Sequence, residues 1–279
     1  MTRFLRNVSA EELKASIEEI IDDFININFT LHPKAISETA NKKIRNGDNC
    51  CCCCRIYNFE LCLLSGDVIL TYSYSKLVEK ALLDAAEAGK KIKVIVADGR
   101  LHSLGRGLAS KLVAAGVHTT YILITAVSQV LPSVSKVLLG CDGVMANGCV
   151  LATVGTSQVS VAKTEKEVKF LFSHFQVALL AKSCNKPVIF CSETYKFTER
   201  VQTDSFVYNE LLDPEDLVNT GPEGDRQLAD WREQSSLCLL NLVYDLTPAS
   251  LVDSIVTEIS EIPPTSVPVV LRLHSHQTT

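Results

Sequence analysis

Four carboxylates, a serine and a cysteine stand where apolar runs of this chain end. Ser73 follows Val68-Ile69-Leu70-Thr71-Tyr72, and Asp98 opens Asp98-Gly99-Arg100 after a second run. Asp142, Glu193 and Asp245 close three more, with Cys141 directly before Asp142. Carboxylates so placed could serve as general acids or bases, and a cysteine beside an aspartate could serve as a nucleophile. The commoner use of a carboxylate after a strand is to cap the helix that follows. Cys141 has no histidine near it in sequence to act as its base, which points to a small buried hydrophobe.

Other motifs carry less chemistry. Gly105-Arg106-Gly107-Leu108-Ala109-Ser110 imitates the opening of a dinucleotide fingerprint. Ser110 stands where the third glycine belongs, the preceding run ends too far upstream, and no acidic residue closes the next strand to hold a ribose. A G-x4-G-K-[ST] phosphate loop is absent from the sequence. His32 precedes a proline, His102 and His118 fall in short loops, and His274 and His276 in a polar tail, so surface positions describe them better than metal ligation. Of eleven cysteines, five are consecutive, Cys50 to Cys54. Neighbouring cysteines project in different directions and grip one ion poorly, so neither a zinc site nor a secreted disulfide framework is expected. No metal and no cofactor is predicted.

These residues need a scaffold, and the hydropathy pattern supplies one. Residues 9–47 read as helices interrupted at His32-Pro33, the second running from Ala35 to Arg45. From residue 68 short β-rich runs alternate with helical ones. Strands are predicted at Val68–Tyr72, Ile92–Ala97, Thr120–Ile124, Lys136–Leu139, Pro187–Cys191, Leu239–Tyr244 and Val267–Leu273. Helices are predicted at Lys76–Ala88, Leu104–Ala115, Ser128–Val134 and Ala249–Glu258. Residues 213–236, polar and punctuated by Pro214, Gly221, Pro222 and Gly224, read as a surface excursion. Nearly continuous apolar strands separated by helices specify an α/β fold, a Rossmann-like doubly wound parallel sheet behind an N-terminal helical domain.

Composition narrows the class of function. The 279 residues are 47% hydrophobic and 21% charged, with a net charge of -5, which excludes extensive disorder. Without a Lys/Arg block, nothing can track a phosphate backbone, so no DNA partner is expected. No run approaches the ~18 apolar residues that span a bilayer, and a cytoplasmic (cytosolic) protein with no membrane partner is predicted.

The run from Gly140 to Thr156, G-C-D-G-V-M-A-N-G-C-V-L-A-T-V-G-T, resembles the signature of the superfamily of initiation factor 2B regulatory subunits and sugar-phosphate isomerases. Val68-Ile69-Leu70-Thr71-Tyr72-Ser73, Gly105-Arg106, the block Glu193 to Phe206, Asn209-Glu210-Leu211 and Asn241 to Pro248 extend the likeness from about Ile36 to Leu273. The E-T-Y-K-F-T-E-R-V-Q-T-D-S-F block is similar to the delta branch rather than the alpha or beta branches. The isomerase relatives, such as methylthioribose-1-phosphate isomerase, carry a cysteine where this chain has Ser73. They share Asp142, and their phosphate-holding arginine falls near Gly107, beside Arg106. Ser73 and Asp142 are therefore expected to be vestigial, and the resemblance implies no catalytic residues.

It implies instead a regulatory subunit of the guanine-nucleotide exchange factor for initiation factor 2. The implied partners are the alpha, beta, gamma and epsilon subunits of initiation factor 2B, a second delta-type subunit, and the alpha subunit of initiation factor 2. Phe206, Leu240 and Leu242 are the expected subunit-interface residues, within the segments Glu193 to Phe206 and Leu239 to Leu246. An aldose-ketose isomerase acting on a phosphorylated pentose is the alternative, motivated by Asp142 and Asn147-Gly148; a Rossmann-type nucleotide-binding module is a third. Residues 1–48 form the expected helical domain and 68–279 the Rossmann-like domain. Joining Asp48 to Val68, and Gln158 to Val177, restores the family pattern, so 49–67 and 159–176 read as insertions, either retained intron sequence or surface loops.

Overall fold

A computed structural model describes residues 10–44, 66–99, 103–153, 184–203, 208–218 and 230–277. The strand predicted from Val68 forms as β1, Val68–Tyr72, every residue of it buried. It leads to α3, Lys76–Glu87, then β2, Lys93–Asp98, α4, Gly105–Ala114, and β3, His118–Leu123. The short helix α5, Val127–Val130, precedes β4, Lys136–Gly140. A hairpin of β5, Gly143–Met145, and β6, Val150–Thr153, follows at once. Then come β7, Val188–Cys191, β8, Phe197–Thr198, α6, Glu215–Val218, and β9, Tyr244–Thr247. The chain continues through β10, Ser254–Val256, and β11, Glu261–Ile262, into α7, Val267–Gln277.

The main sheet has the order β11-β10-β7-β4-β1-β2-β3, all neighbours parallel except the β10–β11 edge. This is the doubly wound order, running outward one way from β1 to β3 and the other way from β4 to β10. Alternation along each strand feeds two cores. Leu70, Ile95, Val137, Leu139, Val188 and Phe190 join Val127, Leu131, Val267 and Val270 on one face. Ile69, Val94, Val96, Leu138, Ile189 and Val256 join Val78, Leu82, Leu108 and Leu112 on the other. A second sheet, β8-β5-β6-β9, continues from the end of β4.

The N-terminal elements are α1, Ala10–Asn26, and α2, His32–Lys43. The expected interruption at His32-Pro33 is a π-helical turn, Ile27–Leu31, through which the backbone stays helical. Pro33 sits at the start of α2, directly after that π-helical turn, and the local change of helical pitch is where the chain accommodates a residue with no N–H to donate. Ile36, Ala40 and Ile44 are buried in the same cluster as Ile69 and Leu82.

Three predicted elements differ. Val267–Leu273 forms the first part of α7, not a strand: Pro268 suits the first turn of a helix, and Val267 and Val270 then point into the core together with Leu271. Ala249–Glu258 is one 3-10 turn, Ala249–Leu251, followed by β10, because Ile255 and Val256 are β-branched and pair with β7. Asp253 fixes that switch, since its N–H donates to the Val188 carbonyl at 3.0 Å while its carboxylate accepts the Val188 N–H at 2.8 Å. Leu239–Tyr244 is irregular apart from a bridge between Leu242 and Leu211, and the strand begins at Tyr244. Of the two predicted insertions, 159–176 lies outside the described residues and 49–67 does so except for Gly66 and Asp67.

Candidate functional site

In a doubly wound sheet the strand order reverses at one place, and a crevice opens there beyond the carboxyl ends of the strands. Here that place lies between β1 and β4. A cleft of about 240 Å³ occupies it, lined by Tyr72 to Lys76 from the end of β1, Gly140, Cys141 and Asp142 from β4, Thr153 from β6, and Lys196. The predicted pair Ser73 and Asp142 is thus brought together.

Local backbone chemistry makes this arrangement. Ser73 takes a left-handed conformation, φ 55°, with its N–H donating to the Ala97 carbonyl at 2.8 Å, which turns the chain out of β1. A Cβ at Gly140 would overlap the Ser75 side chain, so glycine lets β4 approach the turn after β1. Asp142 donates its N–H to the Leu151 carbonyl at 2.9 Å, tying the cleft to the β5–β6 hairpin. Asn147 and Gly148 turn that hairpin. The Asn147 carboxamide accepts the Cys149 N–H at 3.1 Å and donates to the Gln202 carbonyl at 2.9 Å, and Gly148 has φ 78°. Their role is in the turn, and neither lines the cleft.

The electrostatics separate candidates from structural groups. Burial raises the Asp142 carboxyl above its ordinary value, against the opposing pull of Lys196 and a backbone hydrogen bond from Thr153. Burial pushes the Cys141 thiol up to about 12, outweighing Ser192 and Lys196, so it is a neutral packing group and not a nucleophile near pH 7. Burial, then the fields of Asp98 and Asp245, raise the Tyr72 phenol to about 12. Lys196 is the residue that sequence reasoning assigned no role at the cleft. Its ammonium donates to the Cys141 carbonyl at 3.1 Å and pairs with Glu193 at 2.9 Å. Burial works against its charge, but Cys141, Glu193 and Tyr195 together raise its pKa, so it stays a cation. The three-residue spacing of Glu193 and Lys196 signals their ion pair but not its place at the cleft.

The remaining carboxylates have structural work. Asp98 is 2% exposed and accepts the N–H groups of Gly99 at 2.9 Å and Gly105 at 2.8 Å and the Tyr121 hydroxyl at 3.1 Å. It caps α4, as the commoner reading held. Asp245 lies inside β9 opposite Ala152. Arg106 is exposed on α4 and does not line the cleft. Of the expected interface residues, Leu240 is exposed, Leu242 is half-buried beside exposed Leu211, and Phe206 lies outside the described residues.

The fold and cleft invite comparison with known proteins. The initiation factor 2 subunit family matches residues 1–173 and 174–264. The chain belongs to that family. Within the family it is 45% identical over 210 residues to the translation initiation factor eIF2B subunit delta of Dictyostelium discoideum, covering 74% of this chain and 31% of that protein. It is 32% identical over 199 residues to the ribose 1,5-bisphosphate isomerase of Pyrococcus furiosus, covering 71% and 54%. Among solved structures, the tetrameric eIF2B-beta2-delta2 complex from C. thermophilum matches with TM-score 0.66 and 28% identity, over 91% of this chain and 64% of that one. The chain spans less than two thirds of each of these relatives. Among the described residues, no helix is long and apolar enough to cross a membrane.

Proposed function

We propose that the chain acts as a non-catalytic, delta-type regulatory subunit of the guanine-nucleotide exchange factor for initiation factor 2, in the cytosol. The observation that carries this reading is the 45% identity to a delta subunit, well above the 32% to an isomerase. The cleft supports it. Ser73 stands at the end of β1 where the isomerases carry a cysteine, Cys141 is held neutral, and Lys196 is engaged by Glu193 and the Cys141 carbonyl. A serine hydroxyl is a much weaker proton-transfer group than a cysteine thiol. The partners of this reading are the alpha, beta, gamma and epsilon subunits, a second delta-type subunit, and the alpha subunit of initiation factor 2.

The beta-facing surface of this reading includes Leu240, Leu242 and Phe206. Leu211 at 69% and Leu240 at 51% exposure support it, since an apolar patch of this kind drives association when uncovered. The isolated chain is then expected to self-associate at micromolar concentration, and a monodisperse monomer would overturn the interface assignment.

The isomerase reading rests on the raised Asp142 carboxyl in an open cleft and on the Pyrococcus furiosus relative. A turnover assay on ribose phosphates separates the two. No turnover is expected from the native chain; turnover abolished by Asp142→Asn would establish an isomerase and defeat the regulatory reading.

A further inference from the structure

Two short segments pair beside β9, and their polar and apolar sides are reversed. Residues 208–213 run antiparallel to residues 240–244. The Leu212 N–H donates to the Asn241 carbonyl at 2.9 Å, the Val243 N–H donates to the Glu210 carbonyl at 3.1 Å, and between these rungs Leu211 bridges to Leu242. Asn241 is buried, and its carboxamide donates to the Asp213 carbonyl at 3.0 Å. Asn209 is half-buried. Its carboxamide donates to the Tyr244 carbonyl at 2.6 Å and accepts the Tyr244 N–H at 3.1 Å, standing in for a peptide unit opposite the first residue of β9. Leu211 and Leu240, meanwhile, are exposed. Soluble domains turn apolar side chains in and amides out, so this reversal marks a surface that another molecule covers.

Tyr208 is a second sign. Its backbone is left-handed, φ 62°, a conformation bulky residues rarely adopt, and its side chain stands in water at 81% exposure. Strain of this kind persists where neighbouring contacts impose it, and it gathers at binding sites. The neighbouring contact here is the clamp of Asn209 on Tyr244. We propose that Asn209 is a positioning residue for the subunit contact: it keeps Leu211 opposite Leu242 and Tyr208 turned outward, and so shapes the surface that a beta-type subunit covers. This inference rests on the regulatory reading above and adds Tyr208 and Asn209 to the residues of that contact. A carboxamide suits the place because it sets one donor and one acceptor side by side, whereas a carboxylate would face the Tyr244 carbonyl with a second acceptor. Asn209 and Leu211 belong to neither buried core, so both can be altered with the fold kept.

The test holds the full chain, carrying a fluorescent label, at nanomolar concentration, below the range of self-association, and titrates it with the beta subunit of initiation factor 2B. The native chain is expected to bind. Asn209→Ala, and Asn209→Asp, which keeps the size and removes the donor, are each expected to weaken binding roughly tenfold with the circular dichroism unchanged. Leu211→Ala is also expected to weaken it roughly tenfold. The double variant decides. If Asn209 acts through Leu211, Asn209→Ala/Leu211→Ala binds about as weakly as either single variant, whereas independent effects would multiply to a loss of roughly a hundredfold. That multiplied loss, or native affinity in both Asn209 variants, would overturn the proposal and leave the regulatory reading standing. No binding by the native chain would overturn the reading itself, and the proposal with it.

Discussion

Gly140 is the residue at which β4 and the turn after β1 come closest. Gly140→Ala would drive a methyl group into Ser75, and such overpacking costs about 1–3 kcal/mol. Urea unfolding is expected to show that loss, and Ser75→Gly in the same chain is expected to return most of it. Cys141 makes a second residue-scale prediction, with its sign set by linkage. Its thiol rises from 9.0 to about 12 on folding, because the neutral form is favoured in the core. The stability it lends is complete below about pH 9 and fades between about 9 and 12, where the unfolded chain ionises first. Unfolding measured against pH should fall over that window, less steeply in Cys141→Ala. At about pH 8.5, iodoacetamide followed by peptide mapping should modify exposed Cys238 and spare Cys141. Modification of Cys141 in the folded chain would show that it is a reactive thiol.

At the scale of elements, Asp98 joins the end of β2 to the start of α4. Asp98→Ala removes the acceptor of two backbone N–H groups and the Tyr121 hydroxyl in a buried place, and is expected to cost about 2 kcal/mol in urea unfolding. Ile36→Ala is expected to cost about 3 kcal/mol, because Ile36 is fully buried in the cluster that α2 shares with α3 and the sheet. A loss under 1 kcal/mol would mean that α2 is only loosely applied to the sheet. Strands that are apolar on both faces were legible in the sequence, as β1, β2, β4 and β7 show, since only a sheet covered on both sides buries such runs. Near the C-terminus the same cue failed. Val-Pro-Val-Val-Leu is apolar enough for a buried strand or a buried helix, and only the packing of Val267 and Val270 decides. The opposite error, a helix read over β10, arose because Ser254–Val256 is short and its pairing with β7 is long-range.

At the scale of the whole molecule, the sheet order brings Ser73 and Asp142, 69 positions apart in sequence, to one crevice. Both were singled out from the sequence because each follows an apolar run. Lys196 was not, because nothing local says that the turn after β7 folds back over the end of β4; that is a product of topology. The Asn147-Gly148 pair read from the sequence as part of an isomerase loop serves instead as the turn of a hairpin. Asp142 carries the question of function, since it is the acid/base candidate in the cleft. Asp142→Ala is expected to leave nucleotide exchange by the assembled complex largely intact, and a collapse of exchange with assembly preserved would place this aspartate at a working site.

The most direct measurement is co-expression of the chain with the alpha, beta, gamma and epsilon subunits of initiation factor 2B, purification through a tag on this chain, and assay of nucleotide release from initiation factor 2. A regulatory delta-type subunit predicts that all four partners co-purify and that the purified complex releases nucleotide from initiation factor 2. Purification of this chain free of the four partners, from cells in which they assemble with one another, would contradict that role.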